Sequence, residues 1–106
     1  MTKRKERFQV QAEFCKAMAH PVRLEILYLL KAREMSVGDL ADAVGVPQAN
    51  LSQHLAVLRA RGAVVAVRRG HVVGYSLADP KIGEACSLIH SILSNLADHR
   101  QSVVAT

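Results

Sequence analysis

Leucine recurs at positions 51, 55 and 58 of the stretch VPQANLSQHLAVLRARG, the i, i+4, i+7 spacing of a single buried helical face. Gly62 closes that helix (α4, about 48–61). The same logic lays out the rest of the chain. A first helix (α1, about 5–19) carries Phe8, Ala12, Cys15 and Ala19 on one side, with Val10, Phe14 and Met18 beside them. His20-Pro21 ends it, because a residue before proline is pushed out of the helical region, and Pro21 suits the first turn of the next helix. That helix (α2, 21–32) sets Leu24, Leu27 and Leu30 at core spacing, with Ile26 alongside. A short helix (α3, 37–44) lies between Ser36 as N-cap, with Asp39 three residues on, and Gly45 as the stop; Leu40, Ala43 and Val44 are its expected inward residues.

Only Gly45, Val46 and Pro47 separate α3 from α4, and two short helices with a tight glycine-containing connection form a helix-turn-helix. Beyond Gly62 the β-branched runs AVVAVRR and HVVGYSL meet around Arg69-Gly70 as a hairpin. Gly74, inside the second run, marks a bulge or a close approach. Asp79 and Pro80 then begin a last helix (α5, 80 to about 100), leaving residues 101–106 as a frayed tail. The expected fold is mainly α with a small β-hairpin, a winged helix-turn-helix in the order α1-α2-α3-α4-β-β-α5. A chain of 106 residues is expected to form one domain, residues 1–106, with residues 1–7 as a basic N-terminal arm.

The polar side of α4 sharpens this picture. Gln48, Asn50, Ser52, Gln53 and His54 are hydrogen-bonding groups without an acid among them. Ala49, Ala56 and Ala60 lie opposite the leucines, where a small side chain lets the backbone approach another surface. An α-helix fits the major groove of DNA. Asn and Gln pair with adenine, Ser donates or accepts, and an alanine methyl meets the thymine methyl. Residues 43–78 contain no Asp or Glu but hold Arg59, Arg61, Arg68, Arg69, His54 and His71, with Arg68, Arg69 and His71 at the hairpin tip beside Gly70. Lys3, Arg4, Lys5 and Arg7 stand against Glu6 alone, and the net charge is +5. A basic stretch continuous with an amide-rich helix points to a polyanion, double-stranded DNA. The expected contacts are Gln48, Asn50, Ser52, Gln53 and His54 at bases, and Arg59, Arg61, Arg68, Arg69 and His71 at phosphates or the minor groove.

No apolar run reaches the ~18–20 residues of a membrane span, and no hydrophobic segment follows the charged start, so a cytoplasmic protein without membrane contact is expected. Two cysteines are too few for a disulfide scaffold. No nucleophile–base pair and no glycine-rich phosphate loop suggests an enzyme. In α5, Ile82, Ala85, Leu88, Ile89, Ile92, Leu93 and Leu96 cover too wide an arc for one neighbour in so small a domain, which calls for a second copy.

The segments AHPVRLEIL, SVGDLADAVGVPQANLSQHLAVLRARG and VRRGHVVGYSL resemble the ArsR/SmtB family of bacterial winged-helix repressors, with Ser52, His54, Leu55 and Leu58 as the most recognisable core. The resemblance implies a homodimer joined through α1 and α5, here by Phe8, Ala12, Ile82, Ile89, Leu93 and Leu96. It also implies two reading helices on a palindromic operator and release by a small effector of unknown identity. In metal-sensing members of that family a Cys-x-Cys pair opens α3, where this chain has Ser36 and Gly38. A second family metal site on the last helix is matched by Asp79, but Lys81, Ile92 and Asn95 stand at its other positions. No metal site and no cofactor is therefore assigned, although a metal-responsive repressor using a site of a different kind, from His90, Asp98 and His99 across a dimer, stays open. Cys15 and Cys86 are the candidates for a thiol or persulfide signal; redox-sensing relatives use a late α2 cysteine, where Tyr28 stands here. A winged-helix module for protein–protein contact is the other alternative.

Overall fold

In the computed structural model, the backbone is described for residues 2–105 and the side chains for residues 2–99. The helices are α1 (Lys3–Met18), α2 (Pro21–Ala32), α3 (Val37–Val44), α4 (Gln48–Ala60) and α5 (Pro80–Ala105). The strands are β1 (Met35–Ser36), β2 (Val64–Arg69) and β3 (Val72–Leu77), in one antiparallel sheet of order β1-β3-β2. The expected mainly α winged helix-turn-helix is what forms, with one addition. Met35 and Ser36 pair with Tyr75 and Gly74, so the hairpin gains a third strand too short for any alternation to announce it.

Local chemistry accounts for the element ends. The His20 side chain accepts from the Val22 amide at 3.1 Å and caps α2, whose first residue is Pro21. Ser36 Oγ accepts from the Asp39 amide at 3.1 Å, and Gly45 closes α3 in the left-handed region at φ 81°. Gly70 takes φ 66° at the hairpin, where a two-residue loop requires glycine at its first position. Asp79 Oδ1 accepts from the Lys81 amide at 2.9 Å and starts α5. Two helix limits differ from the expected ones. Helix α1 begins at Lys3 inside the basic arm, because Thr2 caps it by accepting from the Lys5 amide. Helix α5 continues to Ala105, since nothing after Arg100 breaks it: Gln101 to Ala105 include neither Gly nor Pro. Thr106 lies outside the described residues.

The core is built from Ile26, Leu27 and Leu30 of α2, Leu40 and Ala41 of α3, Leu51, Leu55 and Leu58 of α4, and Met35, Ala63 and Val64 of the sheet. Three expected positions move. Ala41, not Ala43, is the buried alanine of α3; Leu24 is exposed, one face over from Ile26 and Leu27; and of the apolar residues of α1 only Ala17 is buried. The radius of gyration is 16.4 Å, against about 13 Å for a compact chain of this length. Part of the apolar surface of α1 and α5, including Phe8, Val10, Leu88, Ile89, Ile92 and Leu93, finds no cover within the chain. No described helix is long and apolar enough to cross a membrane.

One helix touches both ends of the molecule's working parts. At the C-terminal end of α2, Lys31 Nζ donates to Ser87 Oγ of α5 at 2.6 Å, and a Cβ on Gly83 would lie 2.9 Å from Lys31 Cγ. At its N-terminal end, Arg23 reaches α4.

Candidate nucleic-acid interface

Helix α4 is fastened by its leucines. Leu51, Leu55 and Leu58 are at most 2% exposed, worth roughly 1.5–3 kcal/mol each in apolar transfer. The opposite side is left open. Gln48, Asn50, Ser52 and Gln53 are exposed, and no described side-chain hydrogen bond ends on them. The N-cap is Pro47, without a side-chain cap, so Gln48 and Asn50 are not spent on closing the helix start.

His54 is placed apart from these four. It is half-buried, its Nδ1 accepts from Arg23 Nε at 3.2 Å, and its ring meets that of His20 at 4.4 Å between centroids, tilted by 41°. Arg23 also donates to the Ala17 carbonyl at 3.1 Å. Burial first, then the neighbouring His20 and Arg23, push the His54 pKa down from its ordinary value near 6.5. The imidazole thus joins α4 to the start of α2 and the end of α1 instead of standing among the exposed amides. Sequence reasoning had no partner for it, because Arg23 and His20 are more than 30 residues away along the chain.

The arginines divide as well. Arg59 is exposed beside a shallow groove between α4 and the sheet, lined by Ser52, Leu55, Ala56, Ala60 and Tyr75. Tyr75 carries no charge or motif and had given no sign of itself in the sequence. Arg61 donates to Glu13 of α1 at 3.3 Å. Arg69 meets Glu34 through a two-pronged pair, Nε to Oε2 and Nη2 to Oε1, both 3.3 Å. The hydrogen bonds and charge of Glu34 raise the Arg69 pKa above its ordinary value. Arg68 and His71 are exposed and appear in none of the described hydrogen bonds or ion pairs. The stretch without acids along the chain is therefore not free of acids in space.

The remaining candidates sit away from α4. Phe8 and Val10 on α1 and Leu88, Ile89, Ile92 and Leu93 on α5 are each more than half exposed; Leu96 is nearly so, Ala12 is exposed, and Ile82 is half-buried against the core. Cys15 is exposed and Cys86 half-buried, both free thiols. Burial pushes the Cys86 pKa up, which disfavours the thiolate. No group of three or more metal-ligating side chains occurs among the described residues.

Residues 20–64, from the cap of α2 to the first residue of β2, match the family described as bacterial regulatory protein, arsR family. An HTH-type transcriptional regulator of Mycobacterium tuberculosis is 42% identical over 98 residues, covering 92% of this chain and 86% of that protein. Its crystal structure superposes with a TM-score of 0.80, covering 88% of this chain and 94% of the other. The solution structure of a homodimeric winged helix-turn-helix DNA-binding domain from Mycobacterium bovis gives a TM-score of 0.83 at 29% identity, with 93% of each chain covered. The biofilm growth-associated repressor of Xylella fastidiosa is 36% identical over 81 residues, covering 76% of this chain and 71% of that protein.

Proposed function

The chain belongs to the arsR family of bacterial regulatory proteins, transcriptional regulators and not enzymes, and from that premise we propose that it is a homodimeric repressor that reads a palindromic DNA operator with two copies of α4. The observation that carries this reading is the unpartnered face of Gln48, Asn50, Ser52 and Gln53 on a helix immobilised by Leu51, Leu55 and Leu58. These four side chains meet base edges in the major groove, and alanines at 49, 56 and 60 allow the close approach. Arg59, Arg68 and His71 meet phosphates or the adjacent minor groove. His54 contributes by holding α4 against α2, not by touching a base.

The second copy covers the apolar faces of α1 and α5, through Phe8, Ala12, Ile82, Ile89, Leu93 and Leu96. Ile82 reaches that surface only at its edge, because it is half-buried against the chain's own core. The exposure of Phe8, Ala12, Ile89, Leu93 and Leu96 supports this pairing, as does a radius of gyration above that of a compact chain of this length. A homodimeric relative with the same fold supports it further. A two-fold dimer places its reading helices about one turn of DNA apart, ~34–36 Å.

Selection from a random duplex pool tests the reading directly. Inverted repeats with half-sites one turn apart are the expected product, with affinity falling steeply as salt rises. Enrichment of nothing, or of sequences without two-fold symmetry, sinks it.

For release, the reading is a thiol signal at Cys15 and Cys86. Cys15, the exposed thiol, attacks a sulfur of a disulfide or polysulfide and expels a thiolate or shortened polysulfide. Cys86, half-buried with its pKa raised, then displaces the remaining thiolate or hydropolysulfide from Cys15 to close a Cys15–Cys86 disulfide. Treatment with a polysulfide or disulfide oxidant should alter the protein's mass and weaken operator binding, and Cys15→Ser should abolish both. Unchanged binding after oxidation ends the thiol reading and leaves a metal or another effector as inducer.

A further inference from the structure

Arg68 and Arg69 are neighbours on β2, and neighbours on a strand face opposite ways. Pairing fixes which way. Ala66 stands opposite Tyr75 and Arg68 opposite Val73, and Tyr75 lines the groove toward Ser52 and Arg59 of α4. Residues directly opposite share a face of the sheet. Arg68 therefore rises on the α4 side. Arg69, opposite Val72, lies on the far side together with Val67 and Gly74.

On that far side Glu34 crosses β3. It precedes β1, whose Ser36 pairs with Gly74, and its side chain runs over Gly74 to the Arg69 guanidinium. The crossing needs a glycine beneath it. A Cβ at position 74 would lie 2.5 Å from Glu34 Oε2, 2.7 Å from its Cγ and 2.8 Å from its Cδ. The register on both sides of Gly74 is unbroken, so this glycine serves no bulge. It leaves a corridor, and the corridor delivers a carboxylate to one particular arginine.

We propose that Glu34 withholds Arg69 from DNA, so that the hairpin contributes Arg68 but not Arg69 to phosphate binding, and that Glu34 thereby limits the affinity of the protein. The proposal rests on the DNA-binding reading above. Its physics is charge cancellation. An exposed pair is weak on its own, about 0–1 kcal/mol, and a phosphate can compete for the guanidinium. Arg69 cannot then leave without exposing an unpaired Glu34 to the same polyanion. Whether the pair is intact or broken, Arg69 and Glu34 together release few counterions.

Binding to a mixed-sequence B-form duplex, followed by fluorescence anisotropy over a sodium chloride series, separates the two arginines. Arg68→Ala should weaken binding severalfold and flatten the plot of log affinity against log salt by about 0.9 per protomer. Arg69→Ala should leave both nearly unchanged. Glu34→Gln should tighten binding severalfold and steepen the plot by about 0.9 per protomer, and adding Arg69→Ala to it should cancel that gain. A purely structural pair would not move the salt slope in this pattern. Equal losses from Arg68→Ala and Arg69→Ala, or no gain from Glu34→Gln, overturn the proposal while leaving the DNA-binding reading intact. Failure of the unsubstituted protein to bind at low salt overturns both.

Discussion

Two surfaces of this molecule are left uncovered by its own chain, and they differ in kind. On α4 the open groups are amides and a hydroxyl, satisfied by water when free and equally by the edges of bases. On α1 and α5 the open groups are Phe8, Val10, Leu88, Ile89, Ile92 and Leu93, which water serves poorly. The first surface is stable while it waits for a partner; the second is not. A polar face fits a partner that comes and goes, and an apolar one fits a partner that stays. DNA and a second copy are the occupants assigned to them.

Breaking the permanent contact should have the largest effect. Ile89→Glu combined with Leu93→Glu should halve the mass seen by sedimentation and lower operator affinity by about 100-fold or more, as two linked half-sites become one. An unchanged mass would show that α5 is not the joining face. Next comes the anchor of the polar face: Leu55→Ala should cost about 2–5 kcal/mol in denaturant unfolding at fixed protein concentration. Gln53→Ala should do the reverse, leaving unfolding unchanged while costing about 1–3 kcal/mol of discrimination at the base pair it reads. If Gln53→Ala weakened all sequences alike, α4 would be a phosphate binder and the comparison would lose its point.

A smaller effect follows from His54. Its folded pKa is depressed, so the unfolded chain takes up a proton first as pH falls. Its contribution to stability is present above about 6.5 and is lost as pH falls through the lower folded value. His54→Gln should flatten the acid side of the stability profile, and a profile identical to that of the unsubstituted protein would deny the imidazole this role. Smallest of all, Arg61→Ala should change unfolding by no more than about 0.5 kcal/mol, because both Arg61 and Glu13 are mostly exposed.

Periodicity made the skeleton legible. Leu51, Leu55 and Leu58 declared α4, Ser36 and Gly45 bracketed α3, and Asp79-Pro80 opened α5, each by a local rule acting within a few residues. The failures share a different cause. Glu13 on Arg61, Glu34 on Arg69 and Arg23 on His54 are contacts between residues 48, 35 and 31 apart, invisible to any window along the chain. Met35–Ser36 became a strand only because β3 arrived beside it. Leu24 and Ala43 lie outside the core because helical spacing fixes relative directions on a helix but not which direction meets the core. At Gly74 the sequence allows either a bulge or a close approach, and only the folded chain decides for the second and shows that Glu34 is what approaches.

Helix α2 has twelve residues and is therefore about 18 Å of stiff rod. Lys31 grips the apolar helix near one end of that rod, and Arg23 grips the amide-bearing helix near the other. Its middle, Ile26 and Leu27, is sealed in the core, so the contact with Ser87 and the contact with His54 sit at the two ends of one rigid element.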